Sequence, residues 1–195
     1  MVAHAGLRRT VAIVALLNLA YFGVEFGVAR IIGSVSLFAD SIDFLEDASV
    51  NLLIASALGF SLRNRARIGM LLSLVLLAPA VAFALALWHK LHVPLAPLAT
   101  PLTATGAGAL GVNLLCAVML ARYRDHAGSL TRAAFLSARN DALANVAIIG
   151  AGAITAFTGS PWPDVVVGVG IALMNLDAAR EIWATARGEH RLGEA

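Results

Sequence analysis

The chain has 195 residues, of which 59% are hydrophobic and only 13% are charged. Because soluble domains average about 25% charged residues, this composition excludes a soluble globular protein. The single cysteine excludes an internal disulfide and a cysteine-based zinc site.

Six apolar segments are long enough to cross a bilayer as helices, which takes about 20 residues each. Asp164, at the start of the sixth segment, is predicted to be the N-cap of that helix. The sequence therefore predicts an all-α integral membrane bundle of six transmembrane helices, in a single transmembrane domain spanning residues 1–195. The helices are predicted near residues 10–30, 36–61, 67–89, 101–121, 131–157 and 163–185.

The basic residues predict the orientation of the bundle. Six helices place both termini on one side, and every Lys and Arg except Arg30 and Lys90 then falls on that side. Because basic residues are enriched in cytoplasmic loops, both termini are predicted to be cytoplasmic. The protein is predicted to be a multi-pass protein of the cell membrane, the inner membrane if the cell is Gram-negative. The arginines would contact anionic lipid, so no nucleic-acid partner is expected despite the net charge of +2.

Polar side chains inside the first two segments are the first functional signal, because a charge at the bilayer centre costs at least about 2.5–3.5 kcal/mol. Asn18 and Glu25 in the first segment rank below the acids of the second segment as functional candidates; a functional role for them would be to line the cavity or to carry protons. In the second segment, Asp43, Asp47 and Asn51 recur at positions i, i+4 and i+8. This spacing places them on one face of the helix, one turn apart.

Two more acids lie in the second segment. Asp40 falls near the same face, where it would either join the polar strip or hydrogen-bond another helix, whereas Glu46 is predicted to point away, toward an arginine or a lipid headgroup. No Lys or Arg lies in this helix. Since close carboxylates in a dry interior cannot all ionise unpaired, a bound metal ion or shared protons must neutralise them.

The fourth to sixth segments carry a second set of polar residues. In the fifth, Ser137, Asp141 and Asn145 again recur at i, i+4 and i+8, and the rise of about 1.5 Å per residue places Asp141 and Asp47 both near the middle of the bilayer. Two antiparallel helices could therefore face each other across a cavity whose oxygen ligands suit a divalent cation. Interhelical hydrogen bonds are predicted for Asn113 in the fourth segment and for Asn175 and Asp177 in the sixth, and close helix contact is predicted at Gly106 and Gly108.

Two stretches carry a resemblance to a known family. Residues 33–47 resemble the second-helix signature of the cation diffusion facilitator family, and residues 132–141 resemble its fifth-helix signature. The resemblance implies that Asp43 and Asp47 supply half of a metal transport site and that Asp141 belongs to the other half.

The fourth metal ligand is left open by the sequence. Ser137 stands where the family usually has His or Asp, so Ser137, Asn140 and Asn145 are alternatives, and Asn145 is slightly favoured. The predicted metal ligands are therefore Asp43, Asp47, Asp141 and Asn145. Without an imidazole in the set, cobalt, manganese or iron are expected ahead of zinc.

The resemblance implies a divalent metal cation transporter that exports the ion in exchange for protons. No enzymatic activity and no cofactor are expected; the metal is the transported substrate. The alternative is a non-transporting relative that acts as a metal-binding membrane sensor or partner protein. The chain is expected to be a short form that lacks the family's cytoplasmic C-terminal domain, so a homodimer would have to form through the membrane helices.

Overall fold

The apolar segments fold into α-helices, in which the backbone N–H and C=O groups are satisfied within the segment, as a bilayer requires. The computed structural model describes residues 2–57, 80–123 and 129–175, and within these ranges it contains six helices and no strand. The helices are α1 (Val2–Ile32), α2 (Val35–Ala57), α3 (described over residues 80–92), α4 (Ala99–Ala121), α5 (Ser129–Thr158) and α6 (Trp162–Asn175).

The helix bounds differ from the predicted ones mainly at the N-terminus, where α1 begins at Val2 rather than near residue 10. The predicted helical stretches 58–61, 67–79 and 176–185, together with Asp177, lie outside the described residues. Among the described helices, three are long and apolar enough to cross a membrane, over Gly6–Ile32, Ala99–Ala121 and Ala134–Thr158.

Four helices form the centre of the bundle. Helix α1 packs along α2, α4 packs along α5, and these two pairs join through α1–α4 and α2–α5 contacts. One apolar cluster, which includes Val11, Val14 and Leu120, fills the end near the N-terminus. A second cluster, around Leu37 and Ile148, fills the opposite end and also receives side chains from α3 and α6. The polar residues of α2 and α5 lie between the two clusters along the chain.

Glycines allow two close approaches of helices and so bring the central helices together. At Gly106 of α4, a Cβ atom would lie 2.9 Å from the Ile148 side chain of α5, and at Gly108 it would meet the Tyr21 hydroxyl of α1. The close helix contact predicted for these two glycines is therefore present, in the manner common for small residues between membrane helices.

The turns after α1 and α5 lie at the same end of the bundle, which we call the Gly33 end. Gly33 and Gly159 each end a helix with φ of 63°, the left-handed conformation that glycine adopts without steric cost. Beyond Gly33, Ser34 caps α2, because its Oγ accepts the Leu37 N–H at 3.2 Å.

The prediction that Asp164 is the N-cap of its own helix is wrong. Asp164 is the third residue of α6, and its fully buried carboxylate accepts four hydrogen bonds from the start of α2 instead. The donors are Ser34 Oγ (2.6 Å), Val35 N (2.8 Å), Ser36 N (3.1 Å) and Ser36 Oγ (2.6 Å). The negative carboxylate also faces the positive end of the α2 dipole, so it fixes α6 to the helix that carries four acids.

Lys90, at the end of α3, lies near this junction. Its Nζ donates to the Leu95 carbonyl at 2.6 Å and lies close to Gly33. Burial lowers the pKa of the Lys90 amine, and the negative charge of Asp164 opposes that effect. The Gly33 end is therefore held together by one carboxylate and one amine that both bond mainly to backbone and serine groups.

Candidate metal site

The acidic strip of α2 faces the inside of the bundle. Asp43 and Asp47 are only 7% and 5% exposed, and Asn51 is fully buried, because the four-residue spacing keeps all three on one side of the helix. Asn51 donates its amide to the Asp47 carbonyl at 2.8 Å, so it bonds along its own helix. The two carboxylates are thus the groups that α2 presents to the interior at this level.

Asp141 of α5 lies near this strip. Its carboxylate interacts electrostatically with Asp43 and with Asp47. The Ser137 hydroxyl, one turn earlier on α5, is within hydrogen-bonding reach of both Asp47 and Asp141. Asp141 and Ser137 are half-buried. The structure therefore brings Asp43, Asp47 and Asp141 into one region and places Ser137 beside two of them.

Asn145, the slightly favoured fourth ligand, has other partners. Its Nδ2 donates to Asp40 Oδ2 at 2.5 Å, and its Oδ1 accepts from Asn113 Nδ2 at 2.9 Å. All three side chains are buried. Because both ends of the Asn145 amide are engaged, its oxygen is turned to α4 rather than to the Asp43 carboxylate.

The remaining candidate for the fourth position is Asn140. It is exposed, and its Oδ1 accepts from the neighbouring, exposed Arg139 at 3.4 Å. Of the three alternatives that the sequence left open, Ser137 is therefore the one that reaches the carboxylates of Asp47 and Asp141.

Asn175 of α6 also belongs to the site, although the sequence predicted only an interhelical hydrogen bond for it. Its Nδ2 donates to Asp43 Oδ1, so a third helix reaches the acidic region. The sequence signal that could have indicated this role was a polar residue in an otherwise apolar segment. The sequence could not show which helix Asn175 would contact, because that depends on how α6 packs against α2.

Positive side chains do not neutralise these acids within the described part of the chain. Arg30, Arg122 and Arg139 are exposed, and Lys90 bonds to Leu95 at the Gly33 end. Glu46 is exposed as well, in agreement with the prediction that it points away from the strip. The charge of Asp43, Asp47 and Asp141 can therefore be balanced by a bound cation or by protons.

The acids of the described residues are close but do not form a closed cage. Across residues 2–57, 80–123 and 129–175, no group of three or more His, Cys, Asp or Glu side chains is spaced to hold a metal ion as it stands. The carboxylates of Asp43, Asp47 and Asp141 would have to come closer together than they are in this structure to surround an ion. Such an oxygen-rich set suits hard or intermediate divalent cations.

Comparison with known proteins bears on the whole chain. The family model for the cation efflux transmembrane domain matches residues 11–187, which includes all the helices described above except the first turns of α1. No curated protein matches the chain significantly.

Proposed function

The chain belongs to the cation efflux family and is a metal cation transporter of the membrane, and on that premise we propose that it exports a divalent metal ion in exchange for protons. The observation that carries the proposal is that the half-buried Asp141 of α5 interacts electrostatically with the buried Asp43 and Asp47 of α2. Carboxylates that lose protons when a metal binds link transport of the two ions.

The proposed ligands are Asp43, Asp47 and Asp141. We place Ser137 rather than Asn145 in the fourth position, because the Ser137 hydroxyl reaches two of these carboxylates while the Asn145 amide is bonded to Asp40 and Asn113. All four groups bind through oxygen, which favours cobalt, manganese or iron ahead of zinc.

The transport cycle that we propose is an alternation of access around this midplane site, as in other secondary transporters. A site that must release its ion gains from being open rather than a closed cage. The chain acts on no covalent bond in this scheme. Its termini face the cytoplasm, it resides in the cell membrane, and any homodimer forms through the membrane helices.

A matched pair of neighbouring acids tests the transport site. Purified protein is reconstituted in liposomes that contain a metal-sensitive dye, a pH gradient is imposed, and uptake of Co²⁺, Mn²⁺, Fe²⁺ and Zn²⁺ is compared. Asp47→Asn is expected to lower the flux at least about tenfold, since even residues behind the ligands of metal sites have effects of 10–100-fold. Glu46→Gln removes the same charge from an exposed position. The Glu46 charge acts on Asp47 only from outside the ligand set, so this variant is expected to lower the flux far less than Asp47→Asn.

Equal flux of all four metals in the wild type and Asp47→Asn would contradict the proposed site. The second candidate function is a sensor or partner protein that binds metal without moving it. The neutral Ser137 hydroxyl in place of a stronger ligand is the feature that favours it. Saturable metal binding to the wild type without uptake into the liposomes would select this alternative.

A further inference from the structure

A second pair of buried acids lies beside the proposed metal site. Glu25 of α1 and Asp40 of α2 are both fully buried, and their carboxyl groups are within hydrogen-bonding reach of each other. Asp40 is three residues before Asp43, so the pair lies about 4–5 Å toward the Gly33 end at 1.5 Å per residue. Neither residue belongs to the proposed ligand set.

Asp40 has a hydrogen-bond donor among the described residues, and Glu25 has none. Asp40 Oδ2 accepts from Asn145 Nδ2 at 2.5 Å, whereas Asp40 Oδ1 and both Glu25 oxygens have no partner among the described residues when both groups are taken as ionised. Two carboxylates in contact repel and cannot hydrogen-bond, but a carboxylic acid can donate to a carboxylate. The missing partner is therefore a proton between them.

The titratable and charged groups around Glu25 supply no alternative donor. The Tyr21 hydroxyl of α1 donates to the Thr105 carbonyl of α4 at 2.6 Å. The charged groups that act on Glu25 from α2 are Asp40 and Asp43, which are both acids. Two groups of α5 act on Asp40. The neutral Asn145 amide donates a hydrogen bond to it, and the charge of Asp141 interacts with it electrostatically.

We propose that Glu25 is a separate proton-carrying site of this transporter, which holds a proton against Asp40 and releases it when a metal ion occupies the Asp43–Asp47–Asp141 site. The proton belongs to Glu25, because Asn145 stabilises the ionised form of Asp40 while nothing among the described residues donates to Glu25. The O–H bond of Glu25 breaks and the proton leaves toward water, because the nearby positive charge of the metal ion favours the ionised form of Glu25.

The site's surroundings support a proton rather than a second metal ion. The Phe44 side chain is buried and packs against Tyr21 with ring centroids 5.0 Å apart, so an apolar wall lies next to the pair. Two carboxylates give too few oxygen ligands for a hard divalent cation, which takes six or more. The inference rests on the proposed function, since the metal is what displaces the proton.

Infrared spectroscopy of the full chain tests where the proton lies. Metal-free protein at neutral pH is expected to show the C=O stretching band of a buried, neutral carboxylic acid, which shifts in ²H₂O. The contribution of Glu25 to this band is expected to disappear in Glu25→Gln and to remain in Glu46→Gln, whose side chain is exposed. No such band in the wild type, or a band whose intensity is unchanged in Glu25→Gln and falls in Asp40→Asn, would overturn the assignment.

Proton release on metal binding tests the coupling. Mn²⁺ is added to weakly buffered protein with a pH indicator, and Glu25→Gln is expected to release about one proton fewer per bound ion than the wild type. Equal release would overturn the coupling. If the wild type transports Mn²⁺ but proton release is equal, only the proton site fails. If the wild type transports none of Co²⁺, Mn²⁺, Fe²⁺ and Zn²⁺, the proposed function fails. If Glu25→Gln misfolds, Asp40→Asn removes the ionised partner of Glu25 instead and is expected to shift the Glu25 band, and an unshifted band would overturn the assignment.

Discussion

The carboxylate of Asp164 is predicted to hold the α2–α6 junction. Replacing Asp164 with alanine removes the acceptor for four buried donors. The hydroxyls of Ser34 and Ser36 are 3.3 Å apart and can bond each other, so the backbone N–H groups of Val35 and Ser36 are the ones left without a partner. Each unsatisfied buried donor costs about 1–3 kcal/mol, which gives a loss of about 3 kcal/mol.

Cys116 provides the assay for this loss. It is the sole cysteine and is fully buried, so a thiol-reactive fluorophore reports its exposure as the protein is heated in detergent. At about 2–4 °C per kcal/mol for a chain of this size, Asp164→Ala is expected to lower Tm by about 10 °C. Asp164→Asn keeps one carbonyl acceptor, so its Tm is expected to decrease by about half as much as that of Asp164→Ala.

A matched control separates the junction from the rest of the loop. Thr158, a few residues earlier, is exposed and bonds only to backbone groups of its own turn. Thr158→Ala is expected to lower Tm by no more than about 2 °C, since exposed substitutions usually change stability by less than about 0.5 kcal/mol. A Tm for Asp164→Ala that equals that of Thr158→Ala would refute the reasoning.

Three further predictions follow from the same contacts. At Gly168 a Cβ atom would lie 2.7 Å from the Val35 backbone, so Gly168→Ala is expected to cost about 1–3 kcal/mol, while Gly170→Ala, with nothing within 4 Å, leaves the Tm of the thiol assay unchanged. Asn175→Leu removes the donor to Asp43 and is expected to reduce metal flux in liposomes about tenfold; unchanged flux would show that Asn175 has no part in positioning Asp43. Lowering the pH is expected to weaken Mn²⁺ binding about tenfold per pH unit for each proton displaced, because protonated carboxylates do not bind metal; an affinity that is flat with pH in calorimetry would contradict proton exchange.

The sequence could predict the helices and the acidic strip because both depend on local rules. Length and hydropathy identify the segments, and a four-residue spacing places Asp43 and Asp47 on one face whatever surrounds the helix. Antiparallel counting along α2 and α5 was enough to bring Asp141 to the level of Asp47. Glycines between helices, such as Gly106, could be anticipated for the same reason, since only small residues allow helices to approach that closely.

The partners of single side chains could not be read from the sequence. Asn145 has the same spacing as a ligand, but the way α4 and α5 pack turns its amide to Asp40 and Asn113. Asp164 has the position of a helix cap, yet the turn after α1 places the start of α2 within its reach.

The sequence by itself thus determined an all-helical membrane domain with acids on the inner faces of two helices, because helical periodicity and the cost of charge in lipid act residue by residue. The tertiary structure alone decided which acids lie near one another and which carboxylate fixes α6 to α2. Those outcomes depend on the rotation and separation of neighbouring helices, and hydrogen bonds form or fail over differences of about 1 Å.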